Sequence, residues 1–419
     1  MWALLRANQA FRRLWLAQVV SSAGDWLNRM AVLALIRHHG DGRTVGMLFG
    51  VELALRLLPT TLIGPIAGPV ADRLSRRGTM IAADLARALV VLAFLLVDGP
   101  EDLPVLYGVL VLQMALGPFH DAAHSACIPG VVGRDHLHAA YALTAVTWST
   151  MLALGAFVGG VLLTVIGADG VFIADAVTYV LSALLLVGLR LPPMPSQPDR
   201  WSWRRVLLLG ELRGAFGHLR ARGVLLAVTA KWHWGVAGGF LVCLPLLAPR
   251  LGGAADLGET GFAIALLYAA RGVGTGIGPL LARRLGGSGE RALIRSTASG
   301  FLAAGLGYLA VAAVDGGLAT WALVLLAHTG GSTIWVSSTT LWQRAIDDGW
   351  RGRVVTLEQI GLTLAFTLVG LATGAAFDAG WTPSQVVGLL AGTTLLSGAV
   401  WGLAARRARW SREPAETAS

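Results

Sequence analysis

Long apolar stretches separated by short polar ones run the length of the chain. Twelve can be drawn, over 14–36, 44–67, 79–97, 103–124, 140–166, 170–189, 224–248, 258–281, 292–314, 318–341, 354–377 and 384–405. Crossing the hydrocarbon core as a helix takes about 20 mostly apolar residues. The pattern therefore predicts an all-α membrane protein with twelve transmembrane helices. The longest polar segment, 190–223, is rich in Pro and Arg and sits at mid-chain. It separates an N-terminal six-helix half, 1–189, from a C-terminal six-helix half, 224–406, and leaves a tail at 407–419.

The halves resemble each other. Gly68-Pro69-Val70-Ala71-Asp72-Arg73 ends span 2, and Gly278-Pro279-Leu280-Leu281-Ala282-Arg283 ends span 8, an offset of half the chain. Two parallel, pseudo-symmetric repeats about an axis along the membrane normal would give this pattern. The loops also set the orientation. One set of connections, with both termini, holds 25 Lys and Arg residues; the alternate set holds Arg37, Arg43 and Arg250 only. Basic loops stay on the cytoplasmic side, so a multi-pass protein of the inner (plasma) membrane is expected, with cytoplasmic termini. No cleavable signal peptide is expected, because the apolar stretch after Arg6, Arg12 and Arg13 contains Asp25, Asn28 and Arg29.

Composition narrows the class. Hydrophobic residues make up 55% of 419 and charged residues 14%, with mean hydropathy +0.65. This charge is too sparse to cover a soluble surface. It excludes a disordered chain, a nucleic-acid-binding domain and an ordinary cytosolic enzyme. The net charge of +9 is then ascribed to loop arginines facing anionic lipid. Cys127 and Cys243, both in apolar segments, exclude a disulfide scaffold and a cysteine zinc site. No nucleotide-binding loop of the type G-x-x-x-x-G-K-[ST] and no nucleophile–base pair is present. No cofactor, no metal and no enzymatic activity are expected.

The turn Gly68-Pro-Val-Ala-Asp72-Arg73-Leu-Ser-Arg76-Arg77 resembles the loop 2–3 signature of the major facilitator superfamily, G-x-x-x-D-R-x-x-R-R. Phe11-Arg-Arg-Leu-Trp-Leu-Ala-Gln18, Gly24-Asp25-Trp26-Leu27, Asp175 and Ser182-Ala183-Leu184 resemble the branch holding enterobactin exporters and macrolide efflux proteins. The resemblance implies an alternating-access transporter that leaves its substrate chemically unchanged. It also implies that Asp72 faces the positive N-terminal end of span 11, near Arg353, and holds the cytoplasmic gate shut. Glu358, near its span's end, is a candidate gate partner of loop 2–3. Arg73, Arg76 and Arg77 can pair with carboxylates or lipid phosphates. The plainer reading of the loop is a topology determinant. Gly155, Gly159 and Gly160 in span 5 resemble the antiporter motif of exporting members, with Ala156 where those have Pro. Such glycines equally serve ordinary close helix packing.

Ionisable groups inside a membrane must be paired or wet. At 1.5 Å per residue, Asp25 and Arg56 lie about 18 and 16 Å from the cytoplasmic ends of spans 1 and 2, and Arg29 and Glu52 about 24 and 22 Å. Two pairs follow, Asp25–Arg56 and Arg29–Glu52. They form either a static ladder or a proton-coupling site, in which Asp25, nearest the midplane, is the carrier. Gln18, Ser22, Asp25 and Arg29 share one stripe of span 1; His328, Ser332, Trp335 and Thr339 share one of span 10. A polar stripe faces a wet cavity or bonds a neighbouring helix. Lys231 and Trp234 in span 7 can meet an anionic or aromatic substrate, or snorkel and anchor at the interface. Arg271 lies near mid-depth of span 8 without an evident partner, and Asp84 and Arg87 can pair within span 3. His120, Asp121 and His124 end span 4 as a gate or interfacial group, without a fourth metal ligand.

The expected protein is a proton-driven exporter of a small amphiphilic compound, such as a drug, siderophore or secondary metabolite. Its partners are the substrate, protons and the lipid bilayer, and one chain suffices. A proton-coupled uptake symporter of the same fold and a non-transporting receptor or assembly partner are the alternatives.

Overall fold

The computed structural model describes residues 2–41, 44–191, 209–221, 224–252, 256–286 and 289–408. Most of the expected central loop, 192–208 and 222–223, and the tail from 409 lie outside the described residues. Among the described residues every regular element is helical.

Nine described stretches are long and apolar enough to cross a membrane. One, Ala139–Val187, has 49 residues, about 74 Å as a helix and more than twice the hydrocarbon thickness. Gly167 breaks it, at φ 68° and ψ −177°, a conformation open essentially to glycine alone. The chain reverses there, between spans 5 and 6. Two further long helices, Gln9–His39 and Gly317–Ala345, fall outside the nine. They are spans 1 and 10, whose polar stripes lower their apolarity. The crossings are therefore twelve.

Span 2 is Val45–Arg73, span 3 runs from Arg76 to Leu96, span 4 is Leu103–Val132, and span 5 starts at Leu137. Span 7 covers Leu225–Leu251 and is broken by a 3-10 turn at Trp234–Val236. Leu257–Gly286, Glu290–Ala313, Asp348–Asp378 and Pro383–Arg407 are spans 8, 9, 11 and 12. The helices extend beyond the apolar stretches because side chains cap their ends. Asn8 Oδ1 accepts the Phe11 N–H at 2.8 Å and starts span 1. Thr382 and Gln385 form a reciprocal capping box before span 12, with Pro383 at its first position.

The central segment is not all loop. Leu209–Ala221 is a helix that buries Ala215 and Leu219, one turn apart, and stacks His218 on Trp350 at 4.6 Å. This amphipathic face seats it on the start of span 11.

An even number of crossings puts both termini at one end of the bundle, together with Arg73, Arg76, Arg77, Arg283 and Arg284; it is termed the basic end. The halves meet through span 2 on span 11 and span 5 on span 8, contacts exchanged by the pseudo-symmetry. At the far end spans 2 and 11 approach to backbone contact. A Cβ on Gly46 would lie 2.5 Å from the Gly374 carbonyl oxygen, and one on Gly50 would lie 3.0 Å from that of Gly370. Thr61 and Thr363 still touch, at 2.8 Å. Beyond them a Cβ added at Gly64 or Gly68 would meet nothing outside its own helix within 4 Å. The halves thus converge at the far end and part toward the basic end. Pro65 and Pro69 lie in the diverging part of span 2 and Pro59 just before it; each removes a helix hydrogen bond and permits bending.

Replacement of Gly167 by Ala is expected to cost about 1–3 kcal/mol. Gly108→Ala, at an unobstructed helical position, is expected to be neutral or stabilising by up to about 1 kcal/mol. Thermal unfolding followed with a thiol-reactive dye checks this, since Cys127 and Cys243 are both buried.

Candidate functional site

The two central helices share one burial profile. Leu27 to Ile36 of span 1 are all buried, as are Trp234 to Ala248 of span 7. Toward the basic end both open: Gln18, Ser22, Asp25 and Trp26 are half-buried, and the Asp25 side chain is 37% exposed. A mid-helix carboxylate with that exposure lies at the wall of a cavity open to the basic end and sealed at the far end. Trp234, expected in the cavity, is instead buried beside Phe301, because the 3-10 turn directs it into the C-terminal half.

The Asp25 network differs from the depth-matched pairing. Asp25 does not pair with Arg56. It accepts the Tyr179 hydroxyl at 2.5 Å and lies 3.9 Å from Arg87. Arg87 pairs with Asp84 at 2.5 Å, as the spacing predicts, and its guanidinium lies 4.4 Å from the Tyr179 ring. Ser182 donates to Asp84 at 2.6 Å, Gln113 donates to Tyr179 at 3.1 Å, and His120 lies 3.7 Å from Asp84. One guanidinium thus sits between two carboxylates, one fully buried and one facing the cavity. Asp175 is fully buried against Gly24, beside Asn28. Arg87 and Tyr179 escaped the sequence reading as site residues. The Asp84–Arg87 spacing marked a pair, but nothing in it told which helix the pair faced. His120 lies 3.6 Å from the exposed Asp121 and stacks on His124 at 6.0 Å, yet no cluster of three or more side chains that could hold a metal occurs among the described residues.

Above Asp25 the expected Arg29–Glu52 pair is present at 3.9 Å. The same Glu52 oxygen accepts from Arg56 at 2.5 Å. Those two residues are one turn apart, so the pair forms within span 2 and Arg56 is unavailable to Asp25. Arg29 also donates to the Tyr268 hydroxyl at 3.4 Å, and Arg271 lies 5.7 Å from the same ring.

The C-terminal half holds a second charge group. Lys231 pairs with Glu358 at 2.7 Å and lies 4.1 Å from the Trp335 ring centroid. The indole N–H of Trp342 donates to Glu358 Oε1 at 3.0 Å, and that of Trp232 to the Glu358 carbonyl at 3.1 Å. Glu358 therefore is not a partner of loop 2–3. It is buried, facing spans 7 and 10, because its helix turns it inward one turn or more before the open end. The span 10 stripe divides: His328 bonds Tyr308 at 2.7 Å and Ser332 the Gly274 carbonyl at 3.5 Å, whereas Trp335 is exposed above Lys231.

Loop 2–3 acts within its own half. Arg76 donates to the Ala126 carbonyl at 2.8 Å and Arg77 to that of Leu189 at 3.3 Å. They meet main-chain carbonyls near the ends of spans 4 and 6 rather than carboxylates, a favourable place for cations. Asp72 makes no hydrogen bond or ion pair among the described residues. The corresponding contact is formed at the far end, where no sequence signal pointed to it. Asp378, last residue of span 11, accepts the Gly46 and Met47 N–H groups at 2.8 and 2.9 Å and so caps the N-terminus of span 2. Gly155 and Gly159 pack on Trp26 and Leu27 of span 1, and Gly160 on Phe262 of span 8. A π-helical turn, Met151–Gly155, ends at Ala156, so the helix is irregular there without the proline.

Removing one partner of the buried Lys231–Glu358 pair strands the other. Lys231→Met is expected to destabilise the protein by about 3–5 kcal/mol, with much of the loss recovered in Lys231→Met/Glu358→Leu, measured by the same thermal assay. Asp378→Ala is expected to raise the population with spans 2 and 11 apart at the far end roughly 5- to 30-fold, from an N-cap worth about 1–2 kcal/mol. Distances between spin labels at 44 and 381 check this; an unchanged distribution means the cap does not hold the far end shut.

Comparison with known proteins gives a consistent family assignment. A family model described as Major Facilitator Superfamily matches residues 14–369. The uncharacterized MFS-type transporter YkuC of Bacillus subtilis is 26% identical over 66% of this chain and 66% of its own length. The chain thus spans about two thirds of YkuC, and 43% of a second relative from the same organism, YfiS, at 28% identity. The enterobactin exporter EntS of Citrobacter koseri is 28% identical over 90% of this chain and 86% of its own. Among solved structures, a POT family transporter in complex with 5-aminolevulinic acid superposes with a TM-score of 0.72 at 13% identity, over 96% of each chain.

Proposed function

The chain belongs to the Major Facilitator Superfamily, and from that premise we propose that it is a proton-driven exporter of a small amphiphilic compound. As a member of that family it is a multi-pass membrane transporter and not an enzyme. The observation that carries the finer reading is Arg87, held between Asp84 and the cavity-facing Asp25. A carboxylate inside a membrane keeps its charge while a cation or hydroxyl attends it, and takes a proton when they leave. Asp25 meets both attendants, Tyr179 and Arg87, across helix boundaries, so relative helix movement changes its company.

With the basic loops cytoplasmic, the open cavity receives substrate from the cytoplasm of a cell whose inner (plasma) membrane holds the protein. Residues 1–189 and 224–406 then rock against each other as two bodies. Asp378 releases the N-terminus of span 2 at the far end, and Asp72 takes that of span 11 at the basic end. As the cavity opens outward span 1 shifts against spans 3 and 6 within the N-terminal half, so that Asp25, parted from Arg87, binds a proton while substrate leaves; return to the inward-open state restores the contact and delivers the proton to the cytoplasm. The likeness to an enterobactin exporter over most of the chain favours export, as does the glycine-rich contact of span 5 with spans 1 and 8. A single chain encloses the whole pathway, so a monomer suffices.

Inverted vesicles with an imposed pH gradient test the reading. A mixed library of amphiphilic compounds should yield accumulation that a protonophore abolishes, and Asp25→Asn should lose it while remaining folded. Undiminished proton-driven flux in Asp25→Asn removes Asp25 as carrier. Accumulation in right-side-out vesicles alone makes the protein a symporter.

A further inference from the structure

Three guanidinium groups meet at the floor of the cavity with one carboxylate among them. Glu52 is committed to Arg56 at 2.5 Å and reaches Arg29 only at 3.9 Å. The Arg29 Nε, the Arg56 Nη2 and the Arg271 Nη1 are each buried without a hydrogen-bond partner. Arg29 is 9% exposed. Arg271 forms no ion pair among the described residues, and Arg29 is its charged neighbour. Asp25, one turn from Arg29, is engaged by Tyr179 and Arg87. Arg29 and Arg271 flank a single ring, that of Tyr268, at 5.1 and 5.7 Å. Trp26 stands beside them, 6.3 Å from Tyr268 and 5.5 Å from the Arg29 guanidinium.

Uncompensated guanidiniums are costly inside a membrane, and guanidinium forks suit carboxylate and phosphate oxygens. We propose that Arg29 and Arg271 form the binding site for an oxyanion, a carboxylate or phosphate carried on an aromatic or apolar body, with the half-buried Trp26 as its wall and the fully buried Tyr268 behind the two guanidiniums. The proposal rests on the transporter reading and names the substrate class for that cavity. It also gives the substrate a mechanical role. Arg29 belongs to span 1 and Arg271 to span 8, so the two like charges stand on opposite halves. An anion between them cancels their repulsion and bridges the halves, which an uncharged compound of the same shape does not do.

The test uses the purified full chain in detergent with two fluorescent probes, dansylglycine and its uncharged amide, dansylglycinamide. The acid should bind at least about 10-fold more tightly than the amide, as one charge-assisted contact supplies. Arg271→Gln and Arg29→Gln should each lose about 10-fold or more of the affinity for the acid and little for the amide. Arg271→Lys should retain part of it. Arg291→Gln, at an exposed arginine of the basic end, should leave binding unchanged. Thermal unfolding verifies that each variant is folded. Equal binding of acid and amide means that water alone satisfies these arginines and overturns the proposal, as does a folded Arg271→Gln with undiminished acid selectivity. Anion selectivity in a protein without proton-driven flux would strike the exporter reading alone. Proton-driven flux of neutral compounds without anion preference would strike this proposal alone.

Discussion

An ionised side chain cannot stay both unpaired and dry inside a membrane, and the arrangement of this protein follows from that constraint. Each such group costs about 2.5–3.5 kcal/mol at the centre of an inserted helix. The spans carrying Asp25, Arg29, Glu52, Arg56, Asp84, Arg87, Lys231, Arg271 and Glu358 turn these residues inward, toward one another or toward the cavity. The charges thereby link helices. Glu52 joins spans 1 and 2, Arg87 joins spans 1 and 3, and Glu358 gathers spans 7, 10 and 11 through Lys231 and two tryptophan N–H groups. Lipid supplies no hydrophobic force between helices, so these links and the close backbone contacts at glycines are what holds the halves in shape.

The same economy governs the two ends. At the far end Asp378 satisfies two orphan N–H groups at the start of span 2, and Gly46 and Gly374 bring the helices together. At the basic end the equivalent acid, Asp72, stands apart, and span 2 diverges from span 11 beyond Thr61. Spans 2 and 11 are long and antiparallel. Rigid halves that touch at one end of such a pair separate at the other, so capping at one end excludes capping at the other. The exchange needs no large energy, since each cap replaces one of similar kind.

Twelve crossings, the turn between spans 5 and 6 and the basic character of one end were all legible in the sequence. Hydropathy and charge are properties of consecutive residues, and they place a helix along the membrane normal. The Arg29–Glu52 pair was legible for the same reason: two helices joined by a short turn are neighbours, and equal depth then suffices. Asp25–Arg56 satisfied the same depth argument and failed. Arg56 and Glu52 lie one turn apart on one face of span 2, while Asp25 faces spans 3 and 6. Depth was right; rotation about the helix axis was not available. Glu358 and Trp234 were misassigned on the same ground, and the stripe of span 10 divided because its helix passes from a packed face to an open one.

The sequence by itself determined how many helices there are, how they alternate, and which residues bring charge into the membrane. The tertiary structure alone decided which charges share a partner, which face water and which are left over. Periodicity encodes an angle only relative to a helix's own axis. The angle between helices, which makes Arg87 a neighbour of Asp25 and leaves Arg271 without a paired carboxylate among the described residues, is set by packing among segments distant in the chain.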